Sequence, residues 1–156
     1  MSTVTVTVNG VASAPQTFSL SGIAPGLFAV NPAGQGAVLI SATGELAAPT
    51  GSISGRAARP AQRGEYISIY CTGLGAVTNQ PASGAAAGAS STTTATPGVT
   101  IGGMPAPVTF SGLAPSFVGL YQVNVQVPDS AAPGSAVPVV LTIGSVTSNT
   151  VTIAVQ

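Results

Sequence analysis

The sequence has no histidine, no lysine and no tryptophan, one cysteine, and only three arginines set against three carboxylates. Without His or Lys the chain has lost the commonest general base, the commonest metal ligand and every route through a Schiff base. Glu45, Glu65 and Asp129 are too few and too scattered to build an oxygen-rich calcium cage. Their spacing does not pair any two of them for acid–base hydrolysis. The expectation is therefore a protein that is not an enzyme and that uses no metal and no cofactor.

Charged residues make up 4% of the chain, where an ordinary globular domain carries about 25%. The net charge is zero, so no basic surface exists for nucleic acid or anionic lipid, and no nucleic-acid partner is expected. No stretch approaches the ~18 consecutive apolar residues that would suggest membrane insertion. Met1 runs directly into STVTVTVNG, with no basic segment and no long apolar core, so the start does not read as a signal peptide. The chain reads instead as a mature or excised piece of a secreted protein. Low charge with abundant Thr, Ser, Ala and Gly fits an extracellular or cell-surface location. Cys71 stands alone in YISIYCTG, so it has no internal disulfide partner and no neighbouring cation to activate it. A small buried apolar side chain on a strand is the expected role.

What the sequence does contain is strands. GLYQVNVQVP (119–128) alternates Tyr121, Val123, Val125 and Val127 with Gln122, Asn124 and Gln126, the period of two of a strand with one buried face. Its outward face carries amides where most proteins place charge. TVTVTV (3–8) runs into Asn9-Gly10, a strong hairpin signal, with QTFSL (16–20) as its partner. Further strands are expected at 37–41, 65–72, 98–103, 107–110, 137–143 and 149–156. No segment keeps a helical apolar period for three turns. With 20 glycines and 13 prolines among these runs, the fold class is all-β, an Ig-like antiparallel β-sandwich with an additional N-terminal β-hairpin.

An internal repeat sharpens this expectation. Val4, Val6 and Val8 fall on Val139, Leu141 and Ile143. Residues 9–13 fall on 144–148, and Phe18 and Leu20 fall on Ile153 and Val155. The division follows: residues 1–22 form a hairpin like the one that ends an Ig-like unit, and residues 23–156 form the sandwich itself. Within the latter, 79–98 reads as a flexible loop of small polar residues. A Ser/Thr run beside Pro97 is open to O-glycosylation, although a bare spacer is the simpler reading. Arg56, Arg59 and Arg63 precede strand 65–72, where arginines with Glu65 close by more often pin a loop than grip an anion.

APGLFAVNPAGQGAVLI, RPAQRGEYISIYCTGLGAV, VTIGGMPAPVTFSGLAPSFVGLYQVNVQVP and GSAVPVVLTIGSVTSNTVTIAV, taken in this order, resemble a C-terminal domain repeated across secreted proteins of Solibacter and other acidobacteria. The resemblance spans essentially the whole chain. It implies a β-sandwich similar to Ig-like and IPT/TIG domains and an extracellular setting, and it brings no catalytic residues.

Two kinds of partner are consistent with these residues. The first is protein, copies of the chain included. Val4, Val6 and Val8 lie on an uncharged strand without the charges that usually guard an edge. Strand addition to a neighbour's sheet would build a filament, and Gln122, Asn124 and Gln126 would tolerate a close protein surface. The second is carbohydrate, stacked on Tyr66 and Tyr70, which share one face of strand 65–72 opposite Ile67, Ile69 and Cys71. Paired tyrosines more often cover a second face of the core.

Overall fold

The computed structural model describes residues 1–88 and 90–156, and none of the described residues is helical. The N-terminal region is a hairpin in two ladders. β1 (Ser2–Val4) pairs with β4 (Gln16–Phe18), and β2 (Thr7–Val8) pairs with β3 (Val11–Ala12). The run expected as one strand over 3–8 is thus interrupted at Thr5 and Val6. Asn9 and Gly10 close the hairpin with φ of 51° and 80°, the left-handed pair that a two-residue type I′ turn requires.

The body is built from two sheets. The first comprises β5 (Gly26–Leu27), β6 (Val38–Ile40), β7 (Leu46–Ala47), β8 (Ala58–Arg59), β9 (Tyr66–Thr72), β12 (Val108–Leu113) and β13 (Tyr121–Gln126). Its order is β12-β13-β9-β6-β7-β8, with β5 also on β9. The second comprises β10 (Gly98–Ile101), β11 (Met104–Ala106), β14 (Gly134–Ile143), β15 (Val146–Thr147) and β16 (Val151–Val155). There β14 is central, bonded to β10, β15 and β16. Among the described residues the named strands pair antiparallel except β7 with β8, which run parallel, and two isolated bridges to β16, Gln35–Thr152 and Ala61–Val155, are parallel as well. These pairings depart from a uniformly antiparallel sandwich.

One core lies between the sheets. Ile67, Ile69 and Cys71 of β9 and Val123 and Val125 of β13 meet Val139, Leu141, Ile143, Val151 and Ile153 from the opposite sheet. The alternation in YQVNVQ produces this directly, since every second side chain points to the same face. Cys71 takes its expected place, fully buried.

Gln35 ties the sheets at one end. It is buried, and its Nε2 donates to the carbonyls of Ala47 at 3.2 Å and Thr152 at 3.0 Å. Beside it the Gly36 amide donates to Thr152 O and the Thr152 amide to Gly34 O, both at 2.8 Å. Further along, the Ala61 amide donates to Ala154 O and the Gln156 amide to Ala61 O, both at 2.9 Å. The final strand is therefore bonded along both of its edges.

The segment expected as a long flexible loop, 79–98, includes one residue outside those described. Among its described residues, the second half is fastened to β12. Leu113 N donates to Ser91 O at 2.8 Å, and Thr93 N donates to Ser111 O at 2.9 Å. Gly112 makes this approach possible, because a Cβ there would lie 2.3 Å from Ser91 O.

Candidate interaction surfaces

The N-terminal hairpin repeats the hairpin formed by β14, β15 and β16 in register, at a constant offset of 135 residues. Thr7 pairs with Ala12 and Val8 with Val11, just as Thr142 pairs with Thr147 and Ile143 with Val146. Likewise Ser2–Phe18, Thr3–Thr17 and Val4–Gln16 match Val137–Ile153, Pro138–Thr152 and Val139–Val151. A serine clamp is duplicated as well. Ser13 Oγ accepts from Val6 N at 3.1 Å and Ser13 N donates to Val6 O at 2.9 Å. Ser148 Oγ accepts from Leu141 N at 3.1 Å and Ser148 N donates to Leu141 O at 2.8 Å.

The two copies differ in what covers them. Val139, Leu141, Ile143, Ile153 and Val155 are at most 3% exposed, whereas Val4, Val6, Val8, Phe18 and Leu20 are between 44% and 68% exposed. Every residue from 3 to 22 is exposed. Five apolar side chains that form core in one copy thus stand in solvent in the other.

The second surface is the outer face of the first sheet. Directly opposite residues of an antiparallel pair share a face, and the register sets Tyr66 opposite Gln126, Ser68 opposite Asn124, and Tyr70 opposite Gln122. The structure thereby joins all three amides and both tyrosines on one surface, a proximity that the sequence spacing of the two strands did not reveal. Gln122 Nε2 donates to Asn124 Oδ1 at 2.8 Å, and Gln126 Nε2 donates to Gly64 O at 3.0 Å. Tyr66 is half exposed and Tyr70 partly buried. Beside Tyr66 an open hollow of about 400 Å³ is lined by Ile40, Ser41, Ala42 and Glu65. Ser41, one of these residues, shares an Oγ–Oγ hydrogen bond of 3.0 Å with Ser68.

The charged residues near this face hold one another. Arg59 forms a two-pronged pair with Glu65, through Nη2–Oε1 at 2.8 Å and Nη1–Oε2 at 2.9 Å, while its Nε donates to Glu45 at 3.1 Å. This fork lowers the Glu65 pKa and, mainly through the same hydrogen bonds, raises that of Arg59. Arg63 Nε donates to Ala131 O at 2.9 Å. Arg59 and Arg63 thus pin loops, as their setting in the sequence suggested. Arg56 is exposed. Cys71 lies on the core side, and burial pushes its thiol up to about 12.

Val4, Val6 and Val8 therefore lie on one surface, and Gln122, Asn124 and Gln126 with Tyr66 and Tyr70 on another. Comparison of the chain with protein-family models, curated proteins and solved structures finds no match.

Proposed function

We propose that this chain is a non-catalytic structural and interaction module of an extracellular or cell-surface protein, joined to a neighbouring protein through its N-terminal hairpin. One observation carries the reading: five apolar side chains that are core in the C-terminal hairpin stand exposed in its N-terminal copy. Fully burying a Val, Leu or Phe side chain is worth about 1.5–3 kcal/mol, so covering this row is a substantial driving force for association. The near absence of charge removes the repulsion that would oppose it. The resemblance to C-terminal domains of secreted acidobacterial proteins supports the extracellular setting and the Ig-like assignment.

Copies of the chain are the first neighbour to test, since head-to-tail addition of the hairpin to a free sheet edge of the next copy, with no displacement of its own strands, would produce a filament. Light scattering on a sizing column, with negative-stain microscopy of the same fractions, reads this. Association of the intact chain that is abolished by Val6→Asp supports it. An intact chain that remains monomeric at every concentration overturns copy-to-copy assembly.

A second reading, a carbohydrate-binding face, is favoured by the register that sets Tyr66 and Tyr70 on one face with three amides, with an open hollow beside Tyr66. An aromatic face packs on the apolar side of a sugar ring while amides bond its hydroxyls. Retention on insoluble polysaccharides that is lost in Tyr66→Ala would support it. Equal retention of the two proteins would remove it.

A further inference from the structure

We propose that the partner of the N-terminal hairpin is a β-sandwich of this same kind whose own closing hairpin is missing, and that residues 2–20 fill the place that residues 137–155 fill in this chain. The inference rests on reading the hairpin as a joint, and it specifies what the joint receives.

The structure itself displays the receiving surface, because the C-terminal copy occupies it. In that copy Val139 lies opposite Ile101, Val140 opposite Thr100 and Leu141 opposite Val99. Carried across at the constant offset, Val4, Thr5 and Val6 would lie opposite Ile101, Thr100 and Val99 of the partner. Phe18 and Leu20 would take the core positions of Ile153 and Val155. The Thr152 carbonyl, which accepts from both Gln35 Nε2 and Gly36 N, corresponds to that of Thr17. These are main-chain contacts, which any residue at the position can make.

The same comparison shows why an intact copy is a poor recipient. Asn149 latches the resident hairpin to the body, its Oδ1 accepting from Leu27 N at 2.8 Å and its Nδ2 donating to Leu27 O at 3.1 Å. The corresponding N-terminal residue is Ala14, which has no such group. Val137 and Val151, both buried, correspond to Ser2 and Gln16. The resident hairpin is also tethered to its own site, which gives it a high effective concentration. The N-terminal copy therefore docks where the site is open and does not displace an occupant.

Two experiments test this. In the first, residues 137–153 of the full chain are replaced by the sequence of residues 2–18. The expected result is a folded protein with one cooperative thermal transition at a lower midpoint than the parent. A chimera with no cooperative transition overturns the proposal. The second uses the intact chain carrying Thr5→Cys as donor. The acceptor carries Thr100→Cys, with Leu141→Asp and Ile153→Asp to open its site and Val6→Asp to silence its own hairpin. A donor–acceptor disulfide at tens of micromolar, at least tenfold more abundant than with Thr109→Cys in place of Thr100→Cys, is expected. No disulfide, or equal yields at Thr100 and Thr109, overturns docking in this register. Association of the intact chain that Val6→Asp abolishes, in the absence of this disulfide, would leave the hairpin a joint and assign it a different receptor.

Discussion

Ser148 holds Leu141 at both its amide and its carbonyl, and Ser13 holds Val6 in the same way. The first clamp sits at the rim of the core and the second on a hairpin exposed to solvent. Ser148→Ala leaves a partly buried amide without its partner, a loss of about 1–2 kcal/mol. Ser13→Ala exposes its amide to water and leaves the stability of the body unchanged. Urea unfolding of the two variants, followed by tyrosine fluorescence, checks the contrast.

Gln35 is the buried polar side chain that links β7 to β16. Gln35→Ala removes the donor to Ala47 O and Thr152 O, and the expected cost is roughly 1–3 kcal/mol. Hydrogen exchange locates the effect. The amides of Gly36, Thr152 and Ala154 should exchange faster in the variant, while those in the middle of β9 and β13 retain their protection.

Cys71 should be inert in the folded protein. Its thiol is fully buried and its pKa is pushed up to about 12, so almost no thiolate exists at pH 8. A disulfide reagent such as DTNB should titrate no thiol in the native chain and one in guanidinium. Rapid native labelling would contradict the packing of β9 against the opposite sheet.

Acid should weaken the fold through Glu65. Its folded pKa lies below the ordinary carboxylate value, so its contribution is present at neutral pH and above. The contribution is lost as pH falls from the ordinary range through the depressed one. Arg59 and the Gln62 amide face this carboxylate, and Glu45 shares Arg59. Glu65→Gln should lower stability at pH 7 and narrow its difference from the parent as pH drops, measured as denaturation midpoints across that interval.

Much of the architecture could be read from periodicity. The alternation in β9 and β13 located the buried faces correctly, because a period of two leaves only one way to bury an apolar row. The duplicated hairpin was also legible, since Val4, Val6 and Val8 and their counterparts share spacing as well as type. The strands that escaped notice are mostly two residues long. β5, β7, β8 and β15 owe their pairing to neighbouring elements, and two residues cannot carry a period. β11 was hidden by Pro105, although the Gly102-Gly103 turn before it is a hairpin signal; a proline is tolerated there because β11 lies at a sheet edge. The shared face of Tyr66, Tyr70 and the three amides was not legible at all. It depends on which strand lies beside which, and β9 and β13 are separated by three strands in sequence.

The closing strand β16 has a mechanical consequence. It is bonded to β14 along one edge and, in parallel, to residues near Gln35 and Ala61 along the other. A pull on Gln156 directed along the strand axis therefore loads the bonds on both edges together. Tension entering along β16 is thereby spread over both neighbours of the strand instead of falling on one row of hydrogen bonds.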